Sequence, residues 1–134
     1  MRSVRIGAYG VLRVDRAVLL ARASQLSGAP GTWWLPGGGV EFGEHPADAV
    51  VREFAEETGY VVAITGGPMV LSSVFAGGSG DGVHSVRLCY VVGVTGGSLH
   101  NEVDGTTDLA RWVNEAEVDA LPLQPWVREV LAVL

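Results

Sequence analysis

Residues 36 to 59 open with Pro36-Gly37-Gly38-Gly39, continue through Glu44, and end with Arg52-Glu53-Phe54-Ala55-Glu56-Glu57-Thr58-Gly59. Three carboxylates, on Glu53, Glu56 and Glu57, fall within about one and a half turns of a predicted helix. Like charges three or four residues apart on a helix repel by about 0.2–0.5 kcal/mol per pair. A hard divalent cation would convert that repulsion into binding, because Mg²⁺ prefers carboxylate oxygens. The stretch therefore predicts a Mg²⁺ site beside a glycine loop that suits phosphates.

The same stretch predicts a helix from about Pro46 to Thr58. Pro46 suits the first helical position, Asp48 suits the first turn, and Gly59 suits the position after the helix ends. Apolar residues share one face of this helix: Ala47, Val50, Val51 and Phe54. At about 100° per residue, the three glutamates fall on a face about 120° away. We expect them to line the edge of the core, next to the loop of Gly37 to Gly39.

Composition predicts one soluble domain over residues 1–134. Of the 134 residues, 48% are hydrophobic and 18% are charged, which argues against disorder. The net charge of −6 and the lack of a basic run disfavour binding to long nucleic acids, but a phosphorylated small molecule remains compatible with them. Cys89 is the single cysteine, so we expect a buried thiol and no intrachain disulfide. No stretch approaches the roughly 18 apolar residues of a membrane span, and we expect a cytoplasmic protein.

Apolar patterns outside the glycine and glutamate stretch predict a mixed sheet flanked by helices, an α/β fold. We expect a hairpin around Val14-Asp15-Arg16 and a flexible hairpin tip at residues 76–82. Asn114 is expected to cap a short helix, and Pro125 to start a last helix with one apolar face. The predicted strands are residues 4–12, 17–23, 32–35, 61–64, 70–75, 86–94 and 109–113.

The spacing of this stretch resembles the box of the Nudix hydrolase (MutT-like) family at every charged and glycine position. The matching positions are Gly38, Glu44, Arg52, Glu53, Phe54, Glu56, Glu57, Gly59 and Tyr60. Phe54 and Tyr60 are aromatic where the family usually has aliphatic residues. Trp34-Leu35-Pro36 and Ala110-Arg111-Trp112-Val113 also resemble family segments, so the resemblance covers nearly the whole chain. It implies a Nudix-type α/β/α sandwich with a mixed β-sheet.

The resemblance also implies a chemistry and a set of metal ligands. Family members hydrolyse a diphosphate linkage between a nucleoside and another moiety, using Mg²⁺ or Mn²⁺. By position, Glu53, Glu56 and Glu57 are the implied metal ligands. A glycine carbonyl of Gly37 or Gly38 is implied to join them. Dimerisation is common in the family, so a homodimer is compatible with this chain.

Other roles follow from the same resemblance. Arg52 is implied to pair with a box glutamate and orient it, and Glu44 to lie near the metals as an outer ligand. Together with Glu44, the loop of Gly37, Gly38 and Gly39 is implied to approach the substrate phosphates. The general base in the family is either a box glutamate or an acid on a later loop. The candidates here are Glu53, Glu56 and Glu102, with Asp104 and Asp108 behind Glu102.

Several residues have a more ordinary interpretation. Trp33, Trp34 and Tyr9 could stack on a nucleobase, but aromatic residues on strands more often belong to the core, which is our expectation here. The histidines show no spacing typical of a metal site, and we expect surface or loop roles for them: His45, His84 and His100.

The leading hypothesis is a pyrophosphohydrolase acting on a nucleotide or nucleotide derivative, with nucleoside triphosphates slightly ahead of ADP-ribose and nucleoside-diphosphate sugars. Family branches for ADP-ribose often carry a proline about 15 residues after the box, and this chain has none there. A nucleotide-sensing domain without catalysis is the alternative, but it would be free to lose the box glutamates. An RNA-decapping enzyme fits a short acidic chain less well, and the single cysteine gives no indication of isomerase chemistry.

Overall fold

The computed structural model describes residues 1–76 and 81–134. The strands, in chain order, are β1 (Ser3–Val11), β2 (Arg13–Val14), β3 (Ala17–Ala23), β4 (Trp33–Trp34), β5 (Gly37–Gly39), β6 (Tyr60–Ala76), β7 (Gly82–Gly97) and β8 (Thr107–Asn114). The α-helices are α1 (Pro46–Thr58) and α2 (Pro125–Leu131), and a 3₁₀ helix covers Glu115–Ala120.

The strands within the described residues form two four-stranded sheets. The first has the order β5-β1-β7-β6, with β1 parallel to β7 and the other pairs antiparallel. In the second, β3 pairs in antiparallel fashion with β2, β4 and β8. The β2–β3 pairing closes the hairpin predicted around Asp15, a residue with a positive φ of 56°.

Side chains on the strands alternate between two hydrophobic clusters, as the period of two in a strand requires. One cluster packs against α1 and contains Ala8, Leu12, Leu19, Ala49, Val50, Phe54, Val62, Tyr90 and Val92. The other packs against α2 and contains Val11, Val18, Leu20, Trp33, Leu35, Cys89, Val113, Val118, Trp126, Val127 and Val130. The sheets therefore lie between the two helices, and the predicted α/β/α sandwich with a mixed sheet is confirmed.

Helix α1 begins and ends at the predicted residues. His45 caps its first turn, since its Nδ1 accepts from the Ala47 N–H at 3.0 Å, and Pro46 takes the first helical position. Gly59 ends the helix with φ 78°, and its N–H donates to the Ala55 carbonyl at 3.2 Å. Phe54 is fully buried on the predicted apolar face. These caps and this packing hold the segment that carries the glutamates.

One prediction of local structure needs correction. The strands predicted at residues 61–64 and 70–75 are one strand, β6, whose register with β7 shifts around Gly66. Asn114 caps a short helix as predicted, which is a 3₁₀ helix, and its side chain accepts from the Ala116 N–H at 2.9 Å. Of the predicted hairpin tip, residues 77–80 lie outside the described residues. No helix in the described residues is long and apolar enough to cross a bilayer.

Phe54 gives a test of the packing under α1. Replacing Phe54 with Ala should lower the free energy of unfolding by about 3–5 kcal/mol, because a buried aromatic ring leaves a cavity. The matched control is Phe42→Ala, at a fully exposed ring, which should change it by about 0.5 kcal/mol or less. Urea denaturation measures both values, and equal effects would contradict the packing described.

Candidate active site

The glycine strand β5 pairs in antiparallel fashion with β1, placing Gly37 opposite Tyr9 and Gly38 opposite Ala8. Gly37 has φ 150°, and a Cβ there would lie 2.2 Å from the Ala8 carbonyl oxygen. No other residue fits that position without displacing β1. The loop therefore approaches the backbone of β1 more closely than any side chain would allow.

Arg52 organises the acidic side chains around this loop. Its Nε and Nη2 donate to the two carboxylate oxygens of Glu44 at 2.9 Å each, a bidentate pair. Its Nη1 donates to Glu53 at 2.9 Å, and its Nη2 also donates to the Gly39 carbonyl at 3.1 Å. These hydrogen bonds from Arg52, with one from the Glu41 N–H, lower the pKa of Glu44 to about 2. The Arg52 guanidinium thus ties the helix to Gly39, the last residue of the glycine loop, and to Glu44.

Glu57 and Glu53 form a carboxyl pair, called the buried pair below, in which Glu57 is buried and Glu53 is partly buried. Glu57 is 2% exposed, and its Oε2 accepts from the Gly37 N–H at 3.0 Å. Burial raises the pKa of Glu57 well above its ordinary value, and the neighbouring charge of Glu53 raises it further. Burial also raises the pKa of Glu53, although Arg52 opposes that shift. The pair, which is in hydrogen-bonding contact, therefore resists carrying two negative charges without a cation.

Two further glycines of the stretch make room for its side chains. A Cβ on Gly38 would lie 2.9 Å from the Cδ and the Oε1 of Glu53, so the missing side chain leaves that carboxylate accessible from the loop. A Cβ on Gly59 would lie 2.1 Å from the Nδ1 of His100. Both positions are restricted to glycine by close neighbours.

Glu56 lies apart from the buried pair. Its side chain is 50% exposed, and its Oε2 is 3.5 Å from the Arg52 Nη1. No three His, Cys, Asp or Glu side chains in residues 1–76 and 81–134 converge closely enough to hold a metal ion. The physical reason is that Glu53 and Glu56 both turn to the Arg52 guanidinium, the nearest cation. The three predicted ligands are present as a buried pair and a half-exposed third.

The donor set nevertheless fits a hard divalent cation. Carboxylate oxygens are the ligands that Mg²⁺ prefers, and two carboxylates already lie in contact. The absent side chain at Gly38 leaves space against Glu53 that a Cβ would fill. Glu53, Glu57 and Glu56 are thus the residues that could hold such an ion.

The acidic residues that follow β7 differ in whether they influence the carboxylates on α1. The charge of Glu102, which lies on the loop that follows β7, contributes to the raised pKa of Glu57. That loop keeps Glu102 against Gly105, where a Cβ would lie 1.6 Å from its Oε1. Asp108 instead accepts from the Arg22 Nε at 2.8 Å, and Asp104 is exposed with φ 57°.

The three histidines are not brought together. His45 caps α1, and His100 packs against Gly59. On the exposed part of the β6–β7 hairpin, the His84 Nε2 lies 2.7 Å from the Ser72 Oγ.

A cleft of about 780 Å³ opens beside the glycine strand and reaches Glu53. Trp33 is buried in the core, as expected, but Tyr9 and Trp34 line the cleft and only partly belong to the core. Sequence reasoning missed three cleft residues on β7 and at the start of α2: Arg87, Gln124 and Trp126. Arg87 had a usable signal, because it places a charge within the apolar run of residues 86–94.

This chain is similar to known proteins along its length. A family model described as NUDIX domain matches residues 1–134. A Mycobacterium tuberculosis protein provisionally named 8-oxo-dGTP diphosphatase 3 is 34% identical over 129 residues, covering 90% of this chain and 58% of that protein. An ADP-ribose pyrophosphatase of Methanocaldococcus jannaschii is 34% identical over 94 residues, covering 70% of this chain and 53% of that protein. The chain spans less than two thirds of the length of these relatives.

Solved structures share the fold. A MutT NUDIX hydrolase from Burkholderia pseudomallei superposes with a TM-score of 0.74 at 23% identity, covering 96% of both chains. The NUDIX domain of Shewanella oneidensis NrtR, in a cocrystal structure with ADP ribose, gives a TM-score of 0.72 at 21% identity, covering 98% of this chain and 85% of that one. At these identities the likeness shows the fold alone.

The buried pair predicts an unusual response of stability to charge removal. Glu57→Gln keeps an oxygen for the Gly37 N–H and removes one buried charge, so in the presence of a chelator it should raise the free energy of unfolding at pH 8 by about 0.5–2 kcal/mol. A raised pKa in the folded state means that the wild-type stability contribution is present below the ordinary Glu pKa and is lost as pH rises. The gain should therefore shrink at pH 5.

Urea denaturation at both pH values measures this effect. Glu129→Gln, at an exposed glutamate, is the matched control and should change little. A Glu57→Gln variant less stable than wild type at pH 8 would show that the buried charge is compensated within the fold.

Proposed function

This chain belongs to the NUDIX family, and on that premise we propose that it is a Mg²⁺-dependent pyrophosphohydrolase that cleaves a phosphoanhydride bond in a nucleotide or nucleotide derivative. The observation that carries the proposal is the buried pair of Glu53 and Glu57 beside the open glycine strand. Burying two carboxylates in contact costs stability, and a bound divalent cation would offset that cost. Such a cost fits a site that is built to bind an ion.

The chain's own residues take the following roles in this proposal. Glu53, Glu56 and Glu57 bind the cation, and Gly38 contributes its carbonyl. Arg52 and Glu44 act as positioning residues, since their bidentate pair holds the helix against the loop.

Cleaving a phosphoanhydride mainly requires charge neutralisation on the phosphate oxygens and an aligned water. When bound, Mg²⁺ supplies the charge neutralisation and lowers the pKa of a bound water, and Mn²⁺ is a plausible substitute. The missing side chains of Gly37, Gly38 and Gly39 let phosphate oxygens approach the backbone closely. The glycine strand and the carboxylates together form the phosphate end of the cleft.

Three carboxylates are candidates for the general base. Glu53 and Glu56 lie on α1 next to Arg52, and Glu102 lies on the loop that follows β7. A base must reach the attacking water while the other carboxylates bind the ion. Glu102 is the candidate that stays free of Arg52 among the ion pairs of the described residues.

For the substrate, a nucleoside triphosphate is slightly favoured over ADP-ribose and nucleoside-diphosphate sugars. The name of the Mycobacterium tuberculosis relative supports a purine triphosphate, and that of the Methanocaldococcus jannaschii relative supports ADP-ribose. The alternative function is a domain that senses a nucleotide without hydrolysis. All three glutamates of the stretch are present, which favours catalysis over sensing.

A nucleotide panel tests this proposal. With Mg²⁺ present, the protein should release phosphate or pyrophosphate, or a nucleoside monophosphate, from at least one of dGTP, 8-oxo-dGTP, dATP, dCTP, dTTP, ADP-ribose and a nucleoside-diphosphate sugar. Excess chelator should abolish the release, and added Mg²⁺ or Mn²⁺ should restore it. Binding of a nucleotide with no hydrolysis of any would favour the sensing alternative, and chelator-resistant hydrolysis would contradict the metal role.

Substitutions of the acids separate ligand from base. Glu56→Gln should lower kcat by about 100-fold or more with the fold intact, because a lost ligand removes charge stabilisation in the transition state. Glu102→Gln should lower kcat by a similar factor while leaving the Mg²⁺ dependence unchanged, if Glu102 is the base. Steady-state kinetics measure both, and Glu129→Gln is the exposed control. A full rate in Glu102→Gln would assign the base to α1.

A further inference from the structure

Two N–H groups in the cleft are buried without a hydrogen-bond partner. They are the Trp34 Nε1 and the Arg87 Nε, the two buried side-chain atoms left unpaired within the described residues. Leaving a buried donor unpaired costs about 1–3 kcal/mol, so such groups need an explanation. Both side chains line the cleft, and both line a smaller, more enclosed recess of about 90 Å³ that adjoins it. Two side chains with an unpaired donor therefore line a space where a ligand could supply acceptors.

Arg87 is held in place by its neighbours. On β7 it lies opposite Gly7 of β1, which in turn pairs with Gly39 of β5, so the row has no side chains on that side of Arg87. Its guanidinium lies 4.9 Å from the ring centroid of Trp126, a cation–π distance. The Trp126 ring lies 4.6 Å from the Tyr9 ring. This stack fixes Arg87 at the edge of an open, glycine-lined floor.

The amide of Gln124, which could have satisfied these donors, is already used. Its Oε1 accepts from the Trp126 Nε1 at 2.8 Å, and its Nε2 donates to the Thr32 Oγ1 at 3.2 Å. Glu53 is the one carboxylate residue among those that line the cleft, and it belongs to the phosphate end. Among the described residues, the rest of the lining therefore has no negatively charged side chain and includes the positive charges of Arg5 and Arg87.

This pattern distinguishes among nucleobases. A 6-oxopurine such as guanine presents two adjacent acceptors, O6 and N7, on one edge, and an arginine pairs well with that edge. Adenine replaces O6 by an amino donor, which would oppose the donors of Arg87 and Trp34. The 8-oxo form of guanine keeps the O6 acceptor and gains a second carbonyl oxygen at C8, but its N7 carries a hydrogen and becomes a donor, so it offers the two carbonyl oxygens in place of the O6 and N7 pair.

We propose that Arg87 and Trp34 select a 6-oxopurine base in the substrate, donating to its acceptor edge from the end of the cleft away from the buried carboxylates. The effect of this base preference on catalysis rests on the proposed function. Binding of the base does not depend on it. The flat base lies against the aromatic side of the cleft formed by Tyr9, Trp34 and Trp126.

Binding of nucleoside monophosphates tests the proposal without any turnover. Isothermal titration calorimetry should show that the wild-type protein binds dGMP at least about 10-fold more tightly than dAMP, because each wrong base edge leaves donors unpaired. Trp34→Phe removes one N–H and keeps a ring, and Arg87→Lys keeps the charge and removes the Nε donor. Each variant should reduce the preference for dGMP about 10-fold.

The chain offers matched controls for both variants. Trp112→Phe makes the same change at a tryptophan whose Nε1 donates to the Tyr60 hydroxyl outside the cleft. Arg111→Lys makes the same change at an arginine stacked 5.0 Å from the Trp33 ring. Both controls should keep the wild-type preference, and thermal melting should show all four variants folded.

Each outcome has a defined meaning. Equal binding of dGMP and dAMP, tighter binding of dAMP, or an unchanged preference in both folded cleft variants would overturn the proposal. A preference for dGMP that falls in Trp34→Phe and Arg87→Lys supports it, even if the nucleotide panel shows no hydrolysis and the proposed function fails. If hydrolysis occurs, kcat/KM for dGTP and for 8-oxo-dGTP, each against dATP, should fall in the same two variants, and the two ratios show which 6-oxopurine is preferred.

Discussion

Two carboxylates in contact, Glu57 buried and Glu53 partly buried, with one guanidinium to balance them, form the constraint around which this molecule is arranged. Glu57 is inside the protein because α1 packs its apolar face against the sheet, and Phe54 anchors that face. The fold stabilises the two carboxylates by one hydrogen bond each, from the Gly37 N–H to Glu57 and from the Arg52 guanidinium to Glu53. Neither fully offsets the raised pKa of the pair. Local stability is thus lowered at the place where ion binding is proposed, a common arrangement at functional sites.

The glycines of the stretch follow from the same constraint. Gly37 must approach the backbone of β1, Gly38 must leave Glu53 uncovered, and Gly59 must turn the chain beside His100. Each excludes a side chain for a different steric reason. Glu44 is needed because Arg52 would otherwise have no bidentate partner to fix its orientation. The spacing of these glycines and charged residues along the chain is therefore explained by the contacts that they make in the fold.

Much of the fold could be predicted because its signals are local. Pro46 and Gly59 marked both ends of α1, and the alternation of apolar residues marked most strands. The different exposures of Glu53, Glu56 and Glu57 could not be predicted from the sequence. They depend on the position of the Arg52 side chain and on how closely Glu57 packs against the sheet. The sequence pattern predicts two strands in place of β6 because Gly66 and Gly67 interrupt the apolar residues. In the structure, pairing with β7 keeps β6 continuous across the register shift. Cleft residues such as Arg87 were missed because their neighbours come from distant parts of the chain.

The row of residues Gly39, Gly7 and Arg87 crosses three adjacent strands. Neighbouring strands lie about 4.8 Å apart, so the backbone of the glycine strand and that of Arg87 are separated by about 10 Å. Hydrogen bonds between the strands keep this separation constant. A substrate that reaches from the carboxylates to Arg87 must fit that length, so the size of the group between phosphates and base is measured by the backbone. A change of side chain in the cleft could therefore alter which base is bound without altering the distance between the phosphate end of the cleft and the base.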